Sequence, residues 1–408
     1  MGDWGSNVYR VTSLAVFAWA AVLSATAFST NRDLDQAEPP HDGQAIFRFD
    51  TFGDEQLWTD VLRMHEAVQG VDPVTALGVG LKVDLDALPP AVVAALEAEA
   101  IDLDDPAVTA TLLRLNAVVG LVAHVDGGGR IRTLGTTCAL CHSTVDDSFA
   151  PGIGKRLDGW PNRDLNVGAI LGLSPALDDG LKAEFAEWGP GKYDPRHHAF
   201  DGTSLRVLHT PSLPVLIPPA YGLQGVGFET YTGDGPISYW NAYVGISQMG
   251  GEGTFIDPRI GLTIVQRPDR ITRKLPALLA YQLSLDAPAP PPGSFDAAAA
   301  ARGQSIFMTA CASCHPAPTY TDVMNGPDPS VPLLHSAAEI GADPEYASRS
   351  ATKMYRSTPL RGAWQRPPYF HDGRALTLLA VVDRYDELLG LNLTAEQKAD
   401  LVEFLKSL

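Results

Sequence analysis

Apolar positions recur at helical spacing in the last third of the chain, and that pattern is the clearest guide to its architecture. Asp296 is placed to cap a helix that runs through the following alanines to Phe307 and leads straight into Cys311. Thr394 and Gln397 stand at capping-box spacing ahead of Leu401, Val402, Phe404 and Leu405, which predicts a terminal helix over residues 394–408. Farther back, Asp105-Pro106 reads as a cap followed by proline in the first turn. The apolar residues from Val108 to Val122 then predict one buried helix, ended by the turn Asp126-Gly-Gly-Gly129. Phe47 to Val68 reads as a loop entering a helix. From Gly152 to Pro268, glycine and proline recur so often that mostly irregular backbone is expected, with a few helices. The run Asp286-Ala-Pro-Ala-Pro-Pro-Pro-Gly-Ser294 cannot be helical and predicts a short, stiff spacer.

The fold class that follows is mainly α with much irregular loop structure. The boundaries are an N-terminal segment 1–30, an extension 31–137 packed on the first domain, a first domain 138–285, the spacer 286–294 and a second domain 295–408. The N-terminal segment has Arg10 followed by the apolar stretch Val11 to Phe28, with small residues at Ala25-Thr26-Ala27. This predicts a signal peptide or, left uncut, a membrane anchor, and in both cases an extracytoplasmic, periplasmic location.

Composition narrows the partners. With 30 basic and 48 acidic residues the formal charge is −18, which argues against nucleic acid and suits encounter with a basic redox protein. A hydrophobic share of 45% with 19% charged residues is that of a globular chain, not a disordered one.

The four cysteines fall into two pentapeptides, Cys138-Ala-Leu-Cys141-His142 and Cys311-Ala-Ser-Cys314-His315. Two thiols one helical turn apart can add to the two vinyl groups of a porphyrin, and the adjoining imidazole can ligate its iron. Structural zinc is the competing use of such residues, but zinc sites bring their ligand pairs closer than the roughly 170 residues that separate these two. The motifs therefore predict two covalently attached c-type haems, each in a cytochrome-c-like domain.

Met354-Tyr-Arg-Ser-Thr-Pro-Leu-Arg361, Pro368-Tyr-Phe-His-Asp-Gly373 and the helix after Leu393, together with the second pentapeptide, resemble the C-terminal haem domain of bacterial dihaem cytochrome c peroxidases and the related MauG enzymes. The middle of the chain resembles them more loosely, through Cys138 to His142, Thr210-Pro-Ser-Leu213 and Tyr239-Trp-Asn241. Residues 31–137 have no counterpart in the short peroxidases, which suggests a divergent branch.

The resemblance implies that His142 and His315 are proximal ligands. It makes Met354 the sixth ligand of the C-terminal haem, with His371 and His335 as alternatives; MauG-like enzymes carry tyrosine at the matching position. For the N-terminal haem it suggests five-coordinate iron, or a histidine ligand from among His197, His198, His209 and His65. Trp240 resembles the tryptophan that lies between the haems, and Gln248 and Glu252 stand near where a glutamine and a glutamate serve peroxide cleavage. The implied function is reduction of hydrogen peroxide at the first haem, with electrons delivered by a small redox protein such as a cytochrome c or a cupredoxin. A MauG-like oxidative enzyme and a pure electron carrier are the alternatives, and interdomain calcium is a further implication without placed ligands.

Overall fold

A computed structural model describes residues 42–408. The signal-peptide or anchor expectation for residues 1–30 therefore lies outside the described residues. No helix among those described is long and apolar enough to cross a membrane.

Helix content of 38% against 12% strand makes the chain helical in the main. Its strands form separate two-stranded ribbons. The elements that position the sites are α1 (Gly43–Phe49), α2 (Pro106–Arg114), β1 (Leu121–Val125), β2 (Ile131–Thr136), α3 (Ala139–His142), α4 (Ile237–Tyr243), β3 (Thr254–Asp257), β4 (Leu262–Val265), α5 (Leu275–Ser284), α6 (Ala297–Ala310), α7 (Leu378–Leu389) and α8 (Ala395–Lys406).

The capping signals act where the sequence has them. Asp296 accepts from the amides of Ala298 and Ala299 at the start of α6, and Thr394 with Gln397 closes a reciprocal capping box at the start of α8. The buried helix expected from Val108 to Val122 needs correction. Asp105 does cap α2, but the helix stops at Arg114, and Asn116 turns into the left-handed region with φ 53°. The end of the apolar run, from Leu121, enters β1, paired antiparallel with β2 across the Asp126 turn. Burial of a continuous apolar run does not by itself distinguish strand from helix, and here the left-handed residue decides.

The C-terminal core joins α6, α7 and α8 through Phe307, Leu378, Val382, Leu401, Phe404 and Leu405. The α6 and α8 backbones meet at Gly303, where a Cβ would lie 2.0 Å from the carbonyl oxygen of Asp400. Only glycine permits that approach.

A second core lies around Trp240, Tyr243 and Ile246, and it draws Ile46, Phe47 and Phe52 from the N-terminal region. Ile46, Phe47, Phe52 and Val119 thus share one core with the middle of the chain. The proline run forms no regular element and is fastened near its start, where the Trp364 indole N–H donates to the carbonyl of Pro288 at 3.0 Å.

Candidate functional site

The two pentapeptides are presented in the same way by different scaffolds. The first follows β2. Gly120, at φ +80°, lets the preceding turn lie against Leu140, where a Cβ would be 2.1 Å from its Cα. His142 closes the short α3 with its amide donating to Cys138 O at 3.1 Å. Its ring Nδ1 lies 3.0 Å from the carbonyl of Pro218. The second pentapeptide is carried on the end of α6, with the His315 amide donating to Cys311 O at 3.0 Å and the ring Nδ1 2.8 Å from Tyr320 O. A backbone carbonyl can only accept, so Nδ1 carries the proton in both rings and Nε2 keeps its lone pair. Burial pushes the His142 ring down to about 4 and lowers His315 as well, which keeps both imidazoles neutral and able to ligate.

Beside the second pentapeptide is a cavity of about 340 Å³ whose wall includes Cys311, Cys314 and His315. Phe307, Leu378, Val382, Leu401 and Leu405 make much of it apolar, while Arg163, Arg356, Arg361 and Arg366 bring guanidinium groups to it. Arg163 Nε and Nη1, Arg356 Nε and Arg361 Nε are buried without hydrogen-bond partners. An apolar macrocycle bearing two carboxylates meets both demands, so the residues present fit a haem.

The candidates for a sixth ligand at this site are placed unequally. Met354 is half-buried and is not among the residues lining the cavity, whereas Tyr355, His335, His371 and Tyr385 are. The extended backbone around Tyr355 pairs with His335, and it is Tyr355, not Met354, that faces inward. His335 is committed elsewhere: Nε2 lies 3.1 Å from Asp322 and Nδ1 2.8 Å from Glu339, and these carboxylates raise it to about 9. A doubly engaged imidazolium has no lone pair for iron. Cys314, Asp322 and His335 are also the group among the described residues whose ligand atoms lie close enough to hold a metal ion. His371 is enclosed by Tyr231, Tyr346 and Tyr355, and burial lowers its pKa. Tyr385 was missed in the sequence. Its signal is the helical stripe Leu378, Val382, Tyr385, which turns one face of α7 to the cavity.

Trp240 is 7% exposed in the core cluster against which Cys138 packs. Its indole N–H donates to the carbonyl of Glu229 at 3.1 Å, and Glu229 lines the second cavity while holding Arg356 at 2.9 Å. One side chain thus reaches from the surroundings of the first pentapeptide to the wall of the second site.

Gln248 and Glu252 diverge. Gln248 is buried, accepting from the Tyr193 hydroxyl at 2.7 Å and donating to His198 O at 2.9 Å and to Ser247 Oγ at 3.0 Å. Burial raises the Tyr193 hydroxyl, and Cys141 lies close enough to add to the shift, so this network stands near the first pentapeptide. Glu252 instead forms an ion pair with Arg270 at 2.5 Å and has its amide on Phe52 O. The turn Gly250-Gly251 between the two residues sends their side chains to different neighbours.

Among the histidines considered for the first site, His198 Nε2 is 3.1 Å from the Tyr193 hydroxyl, and His197 Nδ1 donates to His209 O at 2.7 Å while its Nε2 faces Glu184 at 3.5 Å. His209 is exposed, and His65 lies on the separate helix Met64–Val68.

The paired cysteines, the fixed proximal-type histidines and the apolar, arginine-edged cavity define the class as a c-type cytochrome. Residues 300–408 match the Cytochrome c family, which implies c-type haem and electron transfer. Among solved structures, the chain is similar to Kuenenia stuttgartiensis hydrazine synthase pressurized with xenon, with 20% identity and a TM-score of 0.29 over 48% of this chain and 72% of that one. No curated protein matches.

Proposed function

We propose that the chain carries two covalent c-type haems and reduces hydrogen peroxide at the first with electrons admitted through the second. Cys138, Cys141 and His142 would hold one haem, and Cys311, Cys314 and His315 the other. The observation that carries this reading is Trp240, which packs in the core beside Cys138 and hydrogen-bonds to the wall of the second cavity. A two-site enzyme needs such a bridge, whereas an array of independent carriers does not.

When bound, haem iron supplies the one-electron chemistry that no side chain here provides. The chain fixes the tautomers of His142 and His315 through Pro218 and Tyr320. The arginines at the second cavity offset carboxylate charge. Gln248, held by Tyr193, His198 and Ser247, offers a rigid amide in the network near Cys141. For Glu252 to move a proton as the resemblance implies, it must first leave Arg270. A small cytochrome c or cupredoxin in the periplasm is the proposed donor, and the acidic chain suits a basic one.

A second reading, a MauG-like oxidative enzyme, is favoured by the cavity wall itself, which presents Tyr385 and not Met354. The two readings separate in one set of measurements. Denaturing mass spectrometry of exported protein should show two haem additions. Peroxide should then be consumed at the expense of a reduced small cytochrome c once the C-terminal haem has been reduced. Two attached haems without donor-dependent peroxide turnover overturn the peroxidase reading.

A further inference from the structure

The segment that follows the first pentapeptide is bound to it and also reaches the second cavity. The Gly159 amide donates to His142 O at 2.8 Å and the Asn162 amide to Cys141 O at 2.9 Å, so the next residue, Arg163, is fixed relative to the first site. Gly191, at φ +70°, lets another strand of chain press on that backbone, since a Cβ there would stand 2.6 Å from Arg163 O. Yet the Arg163 side chain lines the cavity of the second site.

Once there, most of its hydrogen-bonding capacity is unused. Nη2 reaches Arg366 O at a long 3.4 Å and the neutral Tyr231 hydroxyl stands beside the guanidinium, while Nε and Nη1 are buried with no partner. Leaving charged donors buried and unpaired is costly, and two guanidinium groups side by side repel one another. Among the described residues no carboxylate is ion-paired with Arg163. The two acids on that wall are engaged elsewhere, Glu229 by Arg356 and Glu339 by His335. The missing counter-charge must therefore come from what the cavity holds.

We propose that Arg163 is a positioning residue for the C-terminal haem. In this assignment its Nε and Nη1 donate to a haem carboxylate, so that a residue anchored at the first site sets the charge balance of the second. The inference deepens the two-site reading, but its test needs only a haem in the C-terminal site. A fork-shaped guanidinium against a carboxylate gives two parallel charge-assisted bonds and neutralises the anion. Neutralising a carboxylate beside the iron favours the ferrous state, so losing Arg163 should favour the ferric one.

The test uses the full chain with haem attached and compares Arg163→Gln, Arg163→Lys and, as a charge-matched control, Arg206→Gln. Arg206 is 67% exposed and paired with Asp201, away from the cavity. The readouts are the midpoint potential of the C-terminal haem by spectroelectrochemistry and haem content by denaturing mass spectrometry. Arg163→Gln should weaken reduction about tenfold, a shift of roughly 59 mV to lower potential for a one-electron couple. Arg163→Lys should recover at least half of that shift, Arg206→Gln should leave the potential unchanged, and haem content should match the wild type in all three. A potential unchanged in Arg163→Gln with haem fully attached overturns the proposal. So does an equal shift in Arg163→Gln and Arg163→Lys, because a purely steric role predicts no rescue by charge. Loss of peroxide turnover with an unaltered potential counts against Arg163 in the same way and leaves the peroxidase reading to its own test.

Discussion

Replacing Trp240 by phenylalanine separates the packing role of the indole from its bridging role. Phenylalanine keeps an aromatic ring in the cluster with Tyr239 and Tyr243 but loses the N–H that donates to Glu229 O at 3.1 Å. That carbonyl is then left without its donor in a dry environment, which costs about 1–2 kcal/mol. The smaller ring leaves a void; if ~40 Å³ stays empty, the cost is about 1 kcal/mol. The guanidinium of Arg196, 5.5 Å from the ring centre, also faces a weaker π-surface, for a loss of about 0.5 kcal/mol. The sum, about 2–4 kcal/mol, is a large part of the ~5–15 kcal/mol that holds a typical domain. Chemical denaturation followed by near-ultraviolet circular dichroism measures it. On the same samples, stopped-flow absorption after reducing the C-terminal haem and adding peroxide should show oxidation of that haem slowed at least tenfold, with both haems still attached. A variant destabilised by the expected amount but with an unchanged oxidation rate refutes the bridging role and leaves only the packing one. If stability too is unchanged, the hydrogen bond to Glu229 is wrong.

Three further outcomes can be checked. Met354→Leu should leave the spectrum and potential of the C-terminal haem as in the wild type, because Met354 does not line the cavity; loss of a low-spin ferrous spectrum in this variant would restore the methionine as ligand. Glu252→Gln breaks a partly exposed ion pair with Arg270, so it should cost about 0–1 kcal/mol of stability and alter peroxide turnover less than threefold, whereas a drop of roughly 100-fold returns Glu252 to acid-base work. His335 is raised in the folded chain to about 9, chiefly by Asp322, so its contribution is complete below its ordinary pKa and disappears as pH rises through about 9. Thermal unfolding midpoints should therefore fall between pH 6.5 and 9.5 in the wild type, and His335→Gln should flatten that decline; equal slopes in the two proteins contradict the Asp322–His335–Glu339 ion triad.

How much of this was legible in the sequence depends on the range of the interaction that decides each feature. Asp296 and Thr394 cap their helices through neighbours two and three residues away, so their signals are complete in the local sequence. The pentapeptides are local for the same reason. The expected helix failed over residues 115–122 because Asn116 leaves the helical region and β2 offers a pairing edge, and neither is visible in an apolar run. The ion pair of Glu252 is with a partner 18 residues away, Arg270, which local sequence does not announce. Arg163 and Tyr193 were overlooked altogether, since an arginine in a loop and a tyrosine in a two-residue strand carry no periodic signal. Their meaning comes from what the rest of the chain places opposite them.

Residues 42–137 are the described part of the extension 31–137. Ile46, Phe47 and Phe52 are 4%, 0% and 2% exposed and pack in one cluster with Trp240 and Ala139. Arg48 holds Asp158 at 2.5 Å, and Asp158 in turn accepts from Ser143, the residue after the first pentapeptide, at 2.8 Å. Each fully buried phenylalanine is worth about 1.5–3 kcal/mol of apolar transfer, so stripping two of them and the ion pair would remove an amount comparable with the stability of a whole domain. The middle of the chain therefore lacks a closed core of its own. The surroundings of Trp240 and of the first pentapeptide are completed only when the N-terminal region folds onto them, and this places residues 42–137 within the machinery of the first site.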